Sequence, residues 1–379
     1  MYDLVLTNGH VLDPPNGIDF NGHVAFKDGR VAALVPAECS LEGRQSVDVK
    51  GAIIAPGLID IHTHVYWGAT YLGVEADTVA RAGATATLVD AGSSGAGNFA
   101  GFRRFIIEQA RPRVLAFLNI SQPGLFNYGI NMMVEEAADY RLLSAKAAFE
   151  IADKNRDVIV GIKVRLGATE SGALALGALD VALEAADWAQ LPVMAHVELP
   201  PPRLGNILDR LREGDILTHC YRPRPNAAVD GLGHVKQEVL HARERGVLFD
   251  LGHGRSSFNF DVANQMLAAG FPPDVISTDI HFGNINGPVH NLLVTMSKFL
   301  CLGMPLPDVL TRVTSAAARA IGRLELGTLQ IGAPADASIL EIEAGSFPYQ
   351  DSTGESMNGD KRLVSRGLVI GGQWIEETV

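Results

Sequence analysis

Between residues 56 and 327, continuously apolar runs alternate with helix-like stretches, and no other feature limits the possible folds so strongly. The candidate strands are Ile59–His64, Thr85–Asp90, Val114–Ile120, Val158–Arg165, Val193–Val197, Asp215–His219, Val247–Leu251 and Val275–Asp279. Helix-like segments lie between them at Phe99–Ala110, Leu142–Ala152, Leu174–Ala189, Arg203–Leu211, Val235–Arg245 and Phe260–Ala269. Strands that are apolar throughout fit a parallel sheet covered on its faces. Eight such units predict an α/β fold, a (β/α)8 TIM barrel whose reactive groups sit at the C-terminal strand ends. A doubly wound sheet is the alternative, and it predicts a glycine-rich phosphate loop after the first strand. The run Gly92-Ser93-Ser94-Gly95-Ala96-Gly97 instead follows the second strand and lacks a Walker lysine. It reads as a flexible active-site loop.

Both ends of the chain have a different texture. Leu4–Leu6, Val24–Phe26, Val31–Leu34 and Ser46–Val49 are short strand-like runs, with turn signals at Asn8-Gly9, Asp28-Gly29 and Lys50-Gly51. Ala337–Ile342, Arg362–Ser365 and Leu368–Ile370 look similar, and Gly371-Gly372 marks a further turn. Residues 1–55 and 328–379 are therefore expected to pair into one small β-sandwich domain beside the barrel of residues 56–327.

Apolar residues make up 47% of the 379 and charged residues 20%, which suits a well-packed globular chain. A net charge of −12 with no basic run argues against nucleic acid and anionic membrane surfaces as partners. No apolar run is long enough to span a membrane. The opening Met1-Tyr2-Asp3 has no secretory pattern, and Cys39, Cys220 and Cys301 are widely spaced. A reduced cytoplasmic setting is expected. Cys220 follows His219 and reads either as a ligand or, more simply, as a small buried thiol.

The strand ends carry the chemistry. Pro56-Gly57-Leu58-Ile59-Asp60-Ile61-His62-Thr63-His64 ends in two histidines two residues apart, which on a strand point the same way. Two imidazoles aimed at one point suit a divalent transition metal, zinc first. Strand four supplies Lys163, strand five His196, strand six His219 and strand eight Asp279. A lone histidine at a strand end is usually a satisfied polar residue, but six candidate ligands on five strand ends are hard to dismiss. Lys163 lies in an otherwise apolar strand, and lysine is seldom buried without a partner. It is either a salt-bridged residue at the barrel mouth or a carbamylated lysine. Burial favours carbamylation, because it lowers the amine pKa and the neutral amine is what reacts with carbon dioxide.

These residues resemble the amidohydrolase superfamily, in its binuclear, dihydroorotase-like branch, over nearly the whole chain. The resemblance implies one metal at His62, His64 and Asp279, and a second at His196 and His219. Carbamylated Lys163 (N6-carboxylysine) and a hydroxide would bridge the two divalent ions, most simply Zn2+. It implies that Asp279 acts as general base and then acid, although by position alone Asp279 is only a ligand. Asp60 is expected to support the ligands by hydrogen bonding. Asp90-Ala91-Gly92-Ser93, Gly161-Ile162-Lys163-Val164-Arg165, Asp250-Leu251-Gly252-His253-Gly254 and Ser277-Thr278-Asp279 are closer to a subgroup of deacetylases. Those act on acetylated 2-hydroxy acids (the acetyl-(R)-mandelate type) and N-acyl amino acids. Tyr66 stands two residues beyond His64, where dihydroorotases are expected to have an arginine for the substrate carboxylate.

A small carboxylate-bearing substrate is therefore expected. Arg165 is either its clamp or a rim salt bridge, and Arg255 is the second candidate. His253 either touches substrate or orders the strand-seven loop. Tyr66 and Trp67 are candidates for an apolar wall. Pro200-Pro201-Pro202 and Arg222-Pro223-Arg224-Pro225 extend the strand-five and strand-six loops, as stiff loops or as a lid. A ring-opening cyclic amidohydrolase shares the same metals and remains the competing reading. A non-catalytic structural barrel is disfavoured by the intact ligand set. A homo-oligomer is compatible with all three.

Overall fold

The structure is a computed structural model that describes residues 1–127, 134 and 136–376. The chain begins with β1 (Tyr2–Asp13), β2 (Ile18–Lys27), β3 (Arg30–Pro36), β4 (Gly43–Asp48) and β5 (Ile53–Pro56). The barrel follows with β6 (Leu58–Thr63), α1 (Ala76–Ala82), β7 (Thr85–Gly95), α2 (Phe99–Phe102) and β8 (Arg113–Asn119). It continues through α3 (Ala145–Lys154), β9 (Ile159–Leu166), α4 (Ala175–Ala189), β10 (Val193–Val197), α5 (Leu204–Leu208) and β11 (Ile216–Leu217). After these come α6 (Gln237–Glu244), β12 (Leu248–Phe249), α7 (Phe260–Ala268), α8 (Leu292–Cys301), α9 (Leu306–Arg312) and α10 (Ser315–Ala320). The chain closes with β13 (Ala337–Gln350), β14 (Ser356–Ile370) and β15 (Gln373–Ile375).

Strands β6 to β12 form a seven-stranded parallel sheet in chain order. The expected eighth strand, Val275–Asp279, is an extended segment rather than a ladder strand. It closes the barrel through parallel bridges from Asp250 to Val275 and from Thr63 to Ile280. Left-handed backbone explains part of the shortfall. Asp279 has φ +50° and His219, just past two-residue β11, has φ +68°. A ladder cannot continue through such residues, so the sheet frays where the ligand candidates stand.

Side chains of Ile61, Ala91, Phe117, Met194 and Ile216, one from each of five strands, pack with Ala317, Ala318 and Ile321 into an apolar cluster. The larger core lies between strands and helices. There α4 contributes a stripe of Ala178, Ala182, Ala185 and Ala189, small enough for close packing on the sheet. Ser144, Asn259 and Asn291 cap α3, α7 and α8 by accepting backbone N–H bonds, each worth about 1 kcal/mol.

The two termini meet in one sheet, ordered β15-β14-β13-β5-β1-β2-β3, with β4 also on β1. The joint is β5 against β13, antiparallel, with Ile54 opposite Ile339. Asp28-Gly29 forms the expected hairpin turn, both residues at positive φ. Asn8-Gly9 does not turn; it is a bulge inside the continuous β1, with Asn8 at φ +58°. Only Gly57 separates β5 from β6, so the terminal sheet feeds straight into the first barrel strand. Among the described residues, no helix is long and apolar enough to cross a membrane.

Candidate metal centre

His62 and His196 stand near the ends of β6 and β10, Lys163 lies inside β9, His64 and His219 come just past β6 and β11, and Asp279 ends the extended eighth segment. His62, His64 and Asp279 each offer an atom within 4.8 Å of the others. Asp279 Oδ1 is 3.1 Å from His64 Nε2 and 3.4 Å from His62 Nε2. Burial alone would raise the Asp279 carboxyl, but His62 and His64 beside it hold it well below the usual carboxylate range.

The far nitrogens of the imidazoles are fixed from behind. Thr218 Oγ1 donates to buried Asp250 Oδ2 at 2.7 Å. Its oxygen therefore accepts from His62 Nδ1, 2.9 Å away, which leaves a lone pair on His62 Nε2. His64 Nδ1 meets Ser93 Oγ at 2.9 Å, and Ser93 is held by its backbone N–H on Asp90 Oδ1 at 2.7 Å. His219 Nδ1 donates to the Gly252 carbonyl at 2.6 Å, so its Nε2 also carries a lone pair. That lone pair faces His196 Nδ1 at 2.8 Å. Buried His196 Nε2 has no hydrogen-bond partner among the described residues. Burial depresses His62, His196 and His219, the last to about 3, so these three are neutral and able to ligate. Neutral imidazoles and a carboxylate converging without a cation of their own are a donor set that fits divalent metal.

Lys163 is 1% exposed. Its Nζ lies 3.3 Å from His62 Nε2 and 3.3 Å from the Met194 sulfur, with no carboxylate in hydrogen-bond reach among the described residues. Burial pushes the ammonium down to about 7, so much of it is free amine at neutral pH. Asp60 sits beneath, accepting from the backbone N–H groups of His62 and Thr278 and from Thr278 Oγ1 at 2.5 Å. Burial raises its carboxyl to about 7.

The centre opens into a cavity of about 540 Å3. Arg165 lines it, paired to Glu136 at 3.1 Å and Glu170 at 3.4 Å, both nearly buried. Arg255 lines it too, exposed, with no carboxylate partner among the described residues. Tyr71, Leu72, Leu199 and Phe282 supply apolar wall, the Tyr71 and Phe282 rings meeting edge-on at 5.6 Å. His281, four residues past Ser277, lines the cavity, and burial lowers it to about 4.

Several expectations need correction. Tyr66 is buried against Phe102 with its hydroxyl on the Asn98 carbonyl, and Trp67 is 62% exposed in a separate groove with Phe105. Neither lines the cavity, because the chain bends outward straight after His64. His253 is buried too, its ring tilted against Phe258 and bonded to Lys298 Nζ at 2.7 Å, so it orders the strand-seven loop. Gly92–Gly95 is no flexible loop; it is the buried end of β7, and Asn119 Nδ2 donates to the Gly92 carbonyl. Of the two readings of Cys220, the simpler one holds: it is a buried thiol, pushed well up by burial. The strand-five and strand-six loops are tied together, Asn226 Nδ2 donating to the Glu198 and Pro202 carbonyls and Arg222 to Glu198.

Sequence reasoning passed over Ser93, Thr218, Asp250 and Gly252, although all lie in or beside segments it singled out. Gly252 has φ +47°, and a Cβ there would stand 2.3 Å from Thr218 Oγ1 and 3.0 Å from His62 Nδ1. A glycine between two strand-end histidine sites was the available signal.

Known proteins share this chain's sequence pattern and fold. Residues 53–375 match the amidohydrolase family. A deacetylase of Agrobacterium fabrum is 33% identical over 353 residues, 92% of this chain and 85% of that protein. A deacetylase of Enterococcus faecalis is 33% identical over 98% of both chains. The crystal structure of an adenine deaminase superposes with a TM-score of 0.93 at 31% identity, covering 99% of this chain and 100% of that one. The crystal structure of a dihydroorotase does so with a TM-score of 0.88, also at 31% identity, covering 99% of each chain. With the family match covering most of the chain and relatives at 33% identity over more than nine-tenths of it, the chain belongs to the amidohydrolase family.

Proposed function

We propose that this protein is a binuclear metal-dependent deacetylase that cleaves the ester or amide bond of a small acylated carboxylic acid. The observation that carries the reading is the 33% identity to a deacetylase over 98% of both chains. His62, His64 and Asp279 would hold one divalent ion, zinc being the simplest choice, and His196, His219 and Lys163 the other. Such ions supply Lewis acidity and bring the pKa of water towards neutrality. Lys163 serves as its carbamate: the neutral Nζ forms an N–C bond to carbon dioxide and releases a proton. The amine's low pKa supports this.

The chain's own residues supply the rest. Asp279, held anionic, takes a proton from the attacking water and returns it to the leaving oxygen or nitrogen. Thr218 and Ser93 keep the two histidine rings oriented. Arg255 meets the substrate carboxylate, while Arg165, already paired to Glu136 and Glu170, shapes the wall. Tyr71, Leu72 and Phe282 cover the substrate's apolar part. The ring-opening reading draws support from the likeness to a dihydroorotase structure at 31% identity.

An acetylated 2-hydroxy acid, an N-acetyl D-amino acid, dihydroorotate and adenine, assayed side by side, test the proposal. Turnover of either acetyl compound, with kcat/KM at least about a hundredfold above the two ring compounds, is expected. Preference for dihydroorotate would install the ring-opening reading instead.

A further inference from the structure

We propose that the turn between β13 and β14, together with Lys298, is a positioning element for the Arg255 contact with the substrate carboxylate. It rests on the reading of Arg255 given above.

Arg255 belongs to the strand-seven loop, which runs from the end of β12 at Phe249 to the start of α7 at Phe260. Arg255, Ser256 and Ser257 line the cavity. The loop contains no helix or strand of its own. On its inner side His253 N donates to the Ser277 carbonyl at 3.2 Å and Gly254 N to the Thr278 carbonyl at 2.9 Å. These bonds stop at Gly254, one residue before the guanidinium.

The outer supports come from the far end of the chain. Lys298 of α8 is wholly buried, and its three protons meet three acceptors: His253 Nε2 at 2.7 Å, the Pro288 carbonyl at 2.8 Å and the Gln350 carbonyl at 2.7 Å. Accepting at Nε2 leaves the His253 proton on Nδ1, which donates to the Gly254 carbonyl at 2.9 Å. Lys298 thus ties the loop's first half to the last residue of β13. The second half is gripped directly. Ser352 N and Oγ both donate to the Phe258 carbonyl, at 3.0 and 2.6 Å, and Phe258 N donates back to Ser352 Oγ at 3.0 Å. Asp351 Oδ2 accepts from Phe260 N at 3.0 Å and Asn259 Nδ2 at 3.2 Å. The turn is stiff before it touches the loop, because Asp351 Oδ1 accepts from Thr353 N, Thr353 Oγ1 and Glu355 N.

The loop is therefore pinned on both sides of Arg255 by one hairpin about a hundred residues downstream, and only 255–257 stand between the pins. A charged contact depends steeply on placement, so freeing either pin spreads the guanidinium over more positions and weakens recognition of an anion. The chemistry at the floor needs no part of the turn.

The test compares kcat/KM for an acetylated 2-hydroxy acid and for its neutral methyl ester in wild type, Arg255→Met, Ser352→Ala, Lys298→Met and Arg255→Met with Ser352→Ala. Ser352→Ala is the mild variant, since the backbone bond from residue 352 to the Phe258 carbonyl remains, and it carries the test even if Lys298→Met does not fold. Arg255→Met should lower the anion-to-ester ratio roughly thirtyfold or more. Ser352→Ala should lower it roughly threefold to tenfold, through KM with kcat kept, and should add nothing in the Arg255→Met background. A ratio that Arg255→Met moves and Ser352→Ala does not overturns the role of the turn alone. A ratio unmoved by Arg255→Met overturns the clamp and the positioning role with it.

Discussion

His62 and His64 at the cavity floor are buried, and each Nδ1 is held by a hydroxyl anchored to a buried aspartate or its neighbour. Arg255, Tyr71 and Phe282 at the rim of the same cavity are exposed; the Arg255 loop is held from outside by Ser352, and the other two loops meet where Phe282 N donates to the Leu72 carbonyl. The floor is fixed by polar bonds between strand ends, with left-handed Asp279 and His219 kept in place by the surrounding structure. The rim is fixed by loops and by the distant terminal hairpin. In the proposed function, floor and rim take separate tasks: the strands would supply the chemistry and the loops the substrate choice.

The largest effect should come from the floor. Asp279→Asn removes the proton acceptor and should lower kcat by roughly a thousandfold, within the usual range for a general base. Metal content measured on the same sample separates this from ligand loss. An activity within tenfold of wild type would take the proton step away from Asp279. Next is Lys163→Ala, for which a loss on the order of a hundredfold is expected, partly restored by adding a small carboxylate. No response to any carboxylate, in a variant that still binds both ions, would argue against the carbamate.

At the rim the expected effects are smaller and selective. Arg165→Met leaves Glu136 and Glu170 without their partner, so unfolding free energy should fall by roughly 1–3 kcal/mol in denaturant titration. Its anion-to-ester ratio should stay within about threefold of wild type. A larger drop would make Arg165 the carboxylate clamp. Trp67→Ala, outside the cavity, should change kcat/KM by less than about twofold.

The same division explains what could be read in the sequence. Strand-end residues obey a period of two and a simple topological rule, so His62, His64, Lys163, His196, His219 and Asp279 were visible as a set. The bonds that orient them join residues far apart in the chain, such as Thr218 and His62, and no local pattern announces them. Tyr66 and Trp67 were misplaced because a strand's alternation ends where the strand does. The chain leaves the barrel after His64, and the apolar wall comes instead from Tyr71 and from Phe282 of the strand-eight loop. Helix α8 is hard to read in the sequence for another reason. Leu292–Cys301 is buried on nearly every side, so it lacks the polar face that makes a helical period readable.

The central claim is a floor built for two divalent ions. Protein stripped by a chelator and titrated with Zn2+, with bound metal and deacetylase activity followed together, tests it most directly. Activity should be absent at the start and rise to a plateau at about two equivalents per chain, as expected for paired sites. Full activity in metal-free protein, or a plateau at one equivalent with His196 and His219 left unengaged, would contradict it.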